Sequence, residues 1–166
     1  MFRPRFAQIG FASLFALFPL GAVPQDAPGA RMRSAAEALI ASVAAGPRSR
    51  LVLPPADPQR TEWHYTPRSR PGLSFADLDA TQREAVHRLL RTALSSVGHR
   101  KALNIIELEL VLREIETFGL LRDPRKYFVV FFGAPDAQAP WGWRFEGHHL
   151  SLNFTLRGDS DRKSVV

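Results

Sequence analysis

The chain has 166 residues, of which 45% are hydrophobic and 23% are charged, proportions that are typical of one globular domain and exclude general disorder. It contains no cysteine, which excludes disulfides, thiol nucleophiles and thiolate metal sites. The formal net charge is +6, but the arginines are interleaved with acidic residues and form no basic stripe, so we expect no nucleic-acid partner.

The N-terminal segment has the organisation of a secretory signal peptide. Arg3 and Arg5 precede an uncharged apolar run over residues 9–20, and small residues follow it. Basic, hydrophobic and small-residue regions in this order are typical of a signal that is removed on export. The run is shorter than the about 20 residues of a membrane-spanning helix, so we expect no stable membrane span after cleavage. We predict a signal peptide over residues 1–27 and an exported protein, periplasmic or extracellular; the alternative is an uncleaved N-terminal anchor.

A helix and a proline-rich segment come next. Five apolar residues recur at three- and four-residue spacing, which predicts a helix that Gly46-Pro47 ends. The five are Met32, Ala36, Leu39, Ile40 and Val43. Residues 47–73 carry six prolines, and proline removes backbone donors, so we predict a loop there with short extended pieces at Val52-Leu53 and over residues 63–65.

Two further helices should form a helical hairpin. Asp79 and Gln82 have the spacing of a capping box at the start of the first helix, and Gly98 is the expected left-handed cap at its end. The second helix, over about residues 100–117, has apolar side chains on several sides and is predicted to be mostly buried. On it, Glu109 and Arg113 have the spacing of a surface ion pair.

The C-terminal part of the chain predicts strands. Residues 127–132 are a continuous run of β-branched and aromatic side chains, which is typical of a strand covered on both faces. Residues 141–155 predict a β-hairpin that turns at Gly147-His148 and pairs Glu146 with His149. Its tryptophans then lie on a core face and its polar side chains on the other. Residues 157–166 are polar without periodicity and are predicted to be disordered.

The polar face of this hairpin is the candidate site. It holds Arg144, Glu146, His149, Ser151 and Asn153. Glu146 and His149 are suited to act as a general acid–base pair or, with His148 in the turn, to bind a divalent metal such as zinc. A catalytic zinc generally takes three protein ligands, and His64 in the proline-rich segment is a further candidate. The alternative is structural, with a solvated polar face on which Glu146 and His149 are an ordinary cross-strand pair.

Several motifs resemble a known family. They are Trp63 with Arg70-Pro-Gly-Leu73, Gln82 with residues 89–95, Arg122-Asp-Pro124 with Tyr127, Phe132-Gly133 with Pro135, and residues 141–153. From about Trp63 to Thr155 the chain resembles the bacterial and fungal proteins of domain-of-unknown-function family 3500. The resemblance implies an uncharacterised protein, often exported, with no established reaction. It also implies that members are markedly longer and carry a second histidine-rich motif, so we expect a C-terminally truncated member.

These features together predict an α+β domain over residues 28–156, in which a helical hairpin packs on a small, mostly antiparallel sheet. Our first functional hypothesis is an exported metal-binding, hydrolase-like domain that uses Glu146, His148 and His149. The second is a non-catalytic extracytoplasmic module that binds a ligand or a partner, and in which the hairpin is structural. Metal binding by the three residues is the property that separates the two hypotheses.

Overall fold

The computed structural model of the chain describes residues 27–117, 119–157 and 160–164. The helices are α1 (Pro28–Ser42), α2 (Ala45–Leu51), α3 (Ala80–Ala93) and α4 (Ser96–Ile115), with 3-10 turns at Pro58–Thr61 and Gly119–Leu121. The strands are β1 (Val52–Leu53), β2 (Leu73–Ser74), β3 (Phe128–Phe132), β4 (Pro140–Gly147), β5 (Leu150–Arg157) and β6 (Ser160–Ser164). Within the described ranges, no helix is both long and apolar enough to cross a membrane. The predicted signal peptide falls on residues 1–27, of which 1–26 lie outside the described residues.

The strands form one mixed sheet in the order β1-β3-β4-β5-β6, and β2 also pairs with β3. The pairing of β1 with β3 is parallel, and the other described pairings are antiparallel. Met32 of α1 and Leu89 of α3 are fully buried in the same core as Trp143 and Phe145 of β4. Trp143 also stacks on Phe154, with ring centroids 4.3 Å apart. The predicted α+β class with a mostly antiparallel sheet is confirmed.

Capping residues determine where α3 and α4 begin, and α3 packs mainly against α1. Asp79 accepts a hydrogen bond from the Gln82 backbone at 2.8 Å, and the Gln82 side chain accepts one from the Asp79 backbone at 3.0 Å, which confirms the capping box. After α3 ends, Ser95 accepts from the backbone N–H of Gly98 at 3.1 Å and caps α4. Gly98 therefore lies in the first turn of α4. Its prediction as a left-handed cap is wrong because Ser95, a good N-cap residue, starts the next helix at once.

The N-terminal helix and the proline-rich segment follow the prediction in part. Helix α1 forms as predicted but ends at Ser42, and Pro47 lies near the start of α2, where proline is tolerated. The helix end predicted at Gly46-Pro47 is therefore wrong. Residues 52–53 form β1, as predicted, whereas residues 63–65 form no strand. Gly72 adopts a φ of 98° just before β2, in the left-handed region that favours glycine.

Helix α4 is much more exposed than its sequence predicts. Ala102 and Ile106 are buried, but Leu108, Val111 and Ile115 are at least half exposed. Side chains point outward all around a helix, so a helix that packs on the core with one side leaves the others in solvent, even where they are apolar. The prediction of a mostly buried helix is therefore wrong, and an apolar surface remains on its outer side.

Strands β4 and β5 form the predicted hairpin, but it turns one residue later than predicted. His148 and His149 are the turn residues, and His149 adopts a left-handed φ of 61°. Glu146 therefore pairs with Ser151 rather than with His149. Moving the turn by one residue changes each pairing by two residues, so the two faces stay sorted. The aromatic core face is confirmed, and the predicted register is wrong.

Gly147 packs closely against the ring of Tyr127, the residue that precedes β3. A Cβ atom at Gly147 would lie no more than 2.7 Å from three ring carbons of Tyr127. Glycine is therefore needed at this position because the ring of Tyr127 lies too close for any side chain. Gly147 is the last residue of β4, and the turn lies at the two histidines that follow it.

Residues 160–164, which we predicted to be disordered, form the edge strand β6. They pair antiparallel with residues 153–157 of β5. An edge strand offers its backbone N–H and C=O groups for pairing whatever side chains the next segment carries. The expectation of a disordered tail therefore does not hold for residues 160–164, whereas residues 158, 159, 165 and 166 lie outside the described residues.

Candidate functional site

The polar face of the hairpin is buried along β4 rather than solvated. Arg144 and Glu146 are each 2% exposed, and Arg70 of the proline-rich segment is 6% exposed. The Nε atom of Arg144 lies 3.0 Å from Oε1 of Glu146, and that of Arg70 lies 3.7 Å from Oε2. We call these three residues the arginine clamp. Neither Nε atom is aligned for a hydrogen bond, so charge attraction holds Glu146 between the two guanidinium groups.

The clamp holds the proline-rich segment against the sheet. Arg70 and Arg144 donate hydrogen bonds of 2.7–3.0 Å to five backbone carbonyls. The acceptors are the carbonyls of Gln59, Glu62, His64, Thr66 and Arg68. Residues 62–70 have no regular structure, so the two arginines supply donors that a helix or a sheet would otherwise provide. We conclude that the clamp has a structural role.

Glu146 lies between two positive charges, so the three residues of the clamp stabilise one another in part. Burial raises the pKa of Glu146, and the neighbouring Arg144 and Arg70 oppose that rise. Burial likewise lowers the pKa of Arg70, and Glu146 opposes that change. A metal ion that bound Glu146 would lie beside two guanidinium groups, which repel cations. Glu146 is therefore poorly placed to be a metal ligand.

His148 belongs to a second buried cluster, which connects the hairpin turn to α4. Its Nδ1 atom lies 2.7 Å from Oε1 of Glu109, and both side chains are buried. The hydroxyl of Tyr127 donates to the backbone carbonyl of His148 at 2.5 Å, and burial raises the pKa of Tyr127 well above its usual range. The burial of Glu109 also shows that the predicted surface ion pair with Arg113 is wrong, because Glu109 lies on the side of α4 that faces the hairpin.

Arg122 completes the cluster around His148. Its Nη1 atom lies 2.7 Å from Nδ1 and 2.6 Å from Nε2 of His148, and its Nη2 atom lies 2.6 Å from Oε2 of Glu116. With Nδ1–H donating to Glu109, Nε2 is the nitrogen that accepts from Arg122; this tautomer is assigned from the partners. Burial lowers the pKa of His148, and Glu109 opposes that change. Both ring nitrogens are thus used within the protein.

The structure places the three predicted site residues in three different surroundings. Glu146 lies in the arginine clamp, His148 bonds to Glu109, and His149 is exposed at the turn. The rings of His148 and His149 are in contact, with centroids 3.6 Å apart. Across the described residues, however, no three side chains of His, Asp or Glu are grouped so that they would hold a metal ion.

A groove that was not predicted from the sequence runs along β5 beside the clamp. Ser151, Asn153 and Thr155 alternate along the strand and therefore share its polar face. All three are at least partly exposed, and Asn153 donates to the Ser151 hydroxyl at 3.1 Å. Two cavities of about 340 and 260 Å³ lie along this row, and Trp63 of the proline-rich segment lines both. We call the two cavities together the β5 groove.

Two exposed aromatic side chains form the other wall of the groove. Trp63 is 58% exposed and Tyr65 is 66% exposed, with ring centroids 6.0 Å apart. Arg60 lines the larger cavity, and His64 and His149 line the smaller one. Adjacent large aromatic rings exposed on a surface are typical of an interaction site. The sequence indicates this pair by its spacing, because residues two apart in an extended chain point to the same side.

The chain is thus an α+β domain with two adjacent open cavities along β5. The family model of a protein of unknown function (DUF3500) matches residues 25–164. The chain therefore belongs to this family, as its motifs predicted. No curated protein and no solved structure matches the chain. The clamp, the His148 cluster and the β5 groove all lie within the matched range.

Proposed function

We propose that this chain is a non-catalytic ligand-binding module and that its binding site is the β5 groove. The observation that carries the proposal is the exposed pair Trp63 and Tyr65, which lines one cavity together with Ser151. Small-ligand sites are typically clefts that combine aromatic walls with a few polar groups. The β5 groove has both parts, and its polar groups come from a regular strand that fixes their positions.

The chemistry of the groove suits a saccharide. Aromatic faces pack against the C–H groups of a sugar ring. The hydroxyls of Ser151 and Thr155 and the amide of Asn153 both donate and accept hydrogen bonds, as sugar hydroxyls do. The cavities of about 340 and 260 Å³ are small beside typical ligand pockets, so we expect the groove to bind a short saccharide.

The buried polar clusters favour binding over catalysis. The charge of Glu146 is compensated by Arg70 and Arg144, and His148 bonds through both ring nitrogens. A general base needs a free acceptor within reach of the proton that it removes. His148 lines neither cavity of the groove. The hydrolase-like hypothesis built on Glu146, His148 and His149 therefore receives less support than the binding hypothesis.

Tryptophan fluorescence tests the proposal, because Trp63 is exposed whereas Trp141 and Trp143 are 1% exposed. The protein is titrated with cellohexaose, chitohexaose, maltohexaose and tri-galacturonate, and its emission and acrylamide quenching are measured. We expect at least one saccharide to shield Trp63. Trp63→Ala should weaken binding of that saccharide, measured by calorimetry, by at least about tenfold.

Two further variants control this experiment. Trp63→Phe keeps an aromatic face and should retain part of the affinity. Leu110→Ala removes an exposed apolar side chain from α4, away from the groove, and should bind as the unmodified protein does. The proposal fails if no saccharide changes the emission or quenching of Trp63.

A divalent metal is the second candidate ligand, because His64 and His149 line the same cavity. Imidazole groups bind zinc, copper and nickel, and a bound saccharide or water would supply the remaining ligands. Calorimetric titration of the metal-free protein with zinc tests this candidate. We expect His64→Ala and His149→Ala each to abolish the heat of binding. An unmodified protein that releases no heat with zinc rules the candidate out.

A further inference from the structure

Arg60 is a cation held inside the β5 groove without a carboxylate partner. Its guanidinium carbon lies 5.5 Å from the ring centre of Phe132, and its Nη2 atom donates to the Thr155 hydroxyl at 2.9 Å. Arg144 lies at the same distance of 5.5 Å from that ring, but Glu146 compensates its charge at 3.0 Å. Among the described residues, no carboxylate forms an ion pair with Arg60. Among the side chains that the structure describes, Arg60 is therefore the cation at Phe132 that has no ion-pair partner.

The strand beneath Arg60 leaves room for its guanidinium group. A Cβ atom at Gly142 would lie 2.9 Å from Nη2 of Arg60 and 2.7 Å from the backbone oxygen of Phe154. Glycine at this position thus lets the cation lie close to β4. The ring of Phe132, the hydroxyl of Thr155 and the space at Gly142 together orient Arg60 before any ligand arrives. A pre-oriented donor loses less conformational freedom when it binds.

We infer that the β5 groove selects anionic saccharides and that Arg60 binds a carboxylate of the ligand. This inference rests on the proposed function, because Trp63 and the polar row of β5 supply the rest of the site. A guanidinium group has five N–H donors, and the bond to Thr155 uses one of them. The remaining donors match the two oxygens of a carboxylate. A uronic acid carries that carboxylate on the sugar ring that the aromatic wall binds.

Glu62 should weaken the preference of the groove for anionic saccharides. Its side chain is exposed and lines the same cavity as Arg60. A carboxylate there repels an anionic ligand, and solvent and salt reduce that repulsion. Glu62→Gln should therefore increase the affinity for an anionic saccharide and leave the affinity for a neutral one unchanged.

A single-stranded nucleic acid also carries anions and stacking rings, but the groove fits it less well. Proteins that bind single strands follow the backbone with a positively charged groove. Of the arginines that line the β5 groove, Arg60 is uncompensated and Arg144 is paired with Glu146. Among the described side chains that line the groove, one unpaired cation lies beside short polar side chains, which suits a monocarboxylate sugar better than a phosphate chain.

Two ligands that share their sugar rings and differ at the carboxyl group test the inference. Tri-galacturonate and its fully methyl-esterified form have the same rings, and calorimetry measures the affinity of each. We expect the acid to bind about 10- to 100-fold more tightly than the ester, the usual contribution of a charge-assisted hydrogen bond. Sodium chloride at about 0.5 M should weaken binding of the acid far more than that of the ester.

Variants at Arg60 assign the effect to this residue. Arg60→Gln should remove the preference for the acid and leave binding of the ester unchanged, which also shows that the variant is folded. Arg60→Lys keeps the charge but loses the planar fork, so it should bind the acid with intermediate affinity.

The possible outcomes separate this inference from the proposed function. If the ester binds as tightly as the acid, or if Arg60→Gln weakens both equally, the anionic selection is wrong and the ligand-binding module stands. If no saccharide of either charge shields Trp63, both are wrong. A single-stranded oligonucleotide that binds more tightly than the acid, and depends on Arg60, would also overturn the inference.

Discussion

The polar face of β4 is buried although its sequence predicts exposure, and the apolar outer side of α4 is exposed although its sequence predicts burial. Arg144 and Glu146 are each 2% exposed, whereas Leu108 is 51% exposed and Ile115 is 73% exposed. In these two regions the polarity of a side chain does not determine its burial. Burial depends instead on whether another part of the chain covers the side chain. Residues 62–70 cover β4 and need hydrogen-bond donors, whereas the outer side of α4 remains open to solvent.

The two regions should also differ in how strongly a substitution affects stability. Glu146 is the one negative charge between the two buried arginines of the clamp, so its removal leaves both arginines without a counter-charge. Scattered apolar side chains on a surface are ordinary, and a substitution there removes little buried area. We therefore expect large losses of stability in the clamp and small ones on the outer side of α4.

The largest loss is expected for Glu146→Gln. This substitution keeps the shape of the side chain but leaves Arg70 and Arg144 buried beside each other without a negative charge. Breaking a buried ion cluster in this way costs about 3–5 kcal/mol in the free energy of unfolding, which urea denaturation measures. Glu107→Gln is the matched control, because Glu107 is exposed on α4, and its stability should be unchanged. A loss below about 1 kcal/mol at Glu146 would mean that the clamp is not shielded from water.

The next loss is expected for Gly147→Ala, beside the clamp. The added methyl group would meet the ring of Tyr127, and overpacking of this kind costs about 1–3 kcal/mol. The hydrogen bond from Tyr127 to the backbone of His148 should weaken as the ring moves. Thermal unfolding measures the loss. Gly46→Ala is the control, because a Cβ atom at Gly46 meets nothing within 4 Å; a loss of the same size there would remove the packing explanation.

A pH-dependent loss of stability is expected at His148. Burial lowers its pKa in the folded state, whereas an unfolded histidine has a pKa of about 6.5. The unfolded chain therefore binds more protons below this pH, and the folded protein should lose stability as the pH falls from about 7 to 5. Burial also lowers the pKa of His87 and His99, so these residues contribute in the same direction.

The variant His148→Gln isolates the contribution of His148. At pH 7.5 it should lose about 1–3 kcal/mol, because Glu109 is left buried without its partner. Its stability should also change less with pH than that of the unmodified protein. Urea denaturation at several pH values measures both effects. Identical slopes for the two proteins would show that His148 does not titrate differently in the folded and unfolded states.

The elements that could be predicted from the sequence are those determined by near neighbours. The capping box of Asp79 and Gln82 depends on residues three apart, and the buried strand β3 depends on one continuous run of apolar residues. The hairpin register could not be predicted, because Gly147 packs against the ring of Tyr127, which lies outside the hairpin. The exposure of α4 depends likewise on which of its sides meets the core.

The candidate site could be predicted only in part, for the same reason. The polar row of β5 follows from strand alternation, and its members Ser151 and Asn153 were predicted on one face. The bond between Glu109 and His148 joins a helix to a turn, and no local pattern indicates it. Arg60 gains its position from Phe132, Gly142 and Thr155, which the fold brings together from separate strands.

The smallest effect is expected for Leu108→Gln on the outer side of α4. Leu108 is half exposed, and glutamine favours a helix nearly as well as leucine, so the free energy of unfolding should change by less than about 0.5 kcal/mol. Ile106→Gln is the matched variant on the same helix, because Ile106 is 7% exposed. It should lose about 2–5 kcal/mol, since it removes buried apolar contacts and buries an amide. Urea denaturation compares the two variants directly. A loss at Leu108 as large as that at Ile106 would mean that the outer side of α4 is covered in solution, and the contrast between the two regions would then disappear.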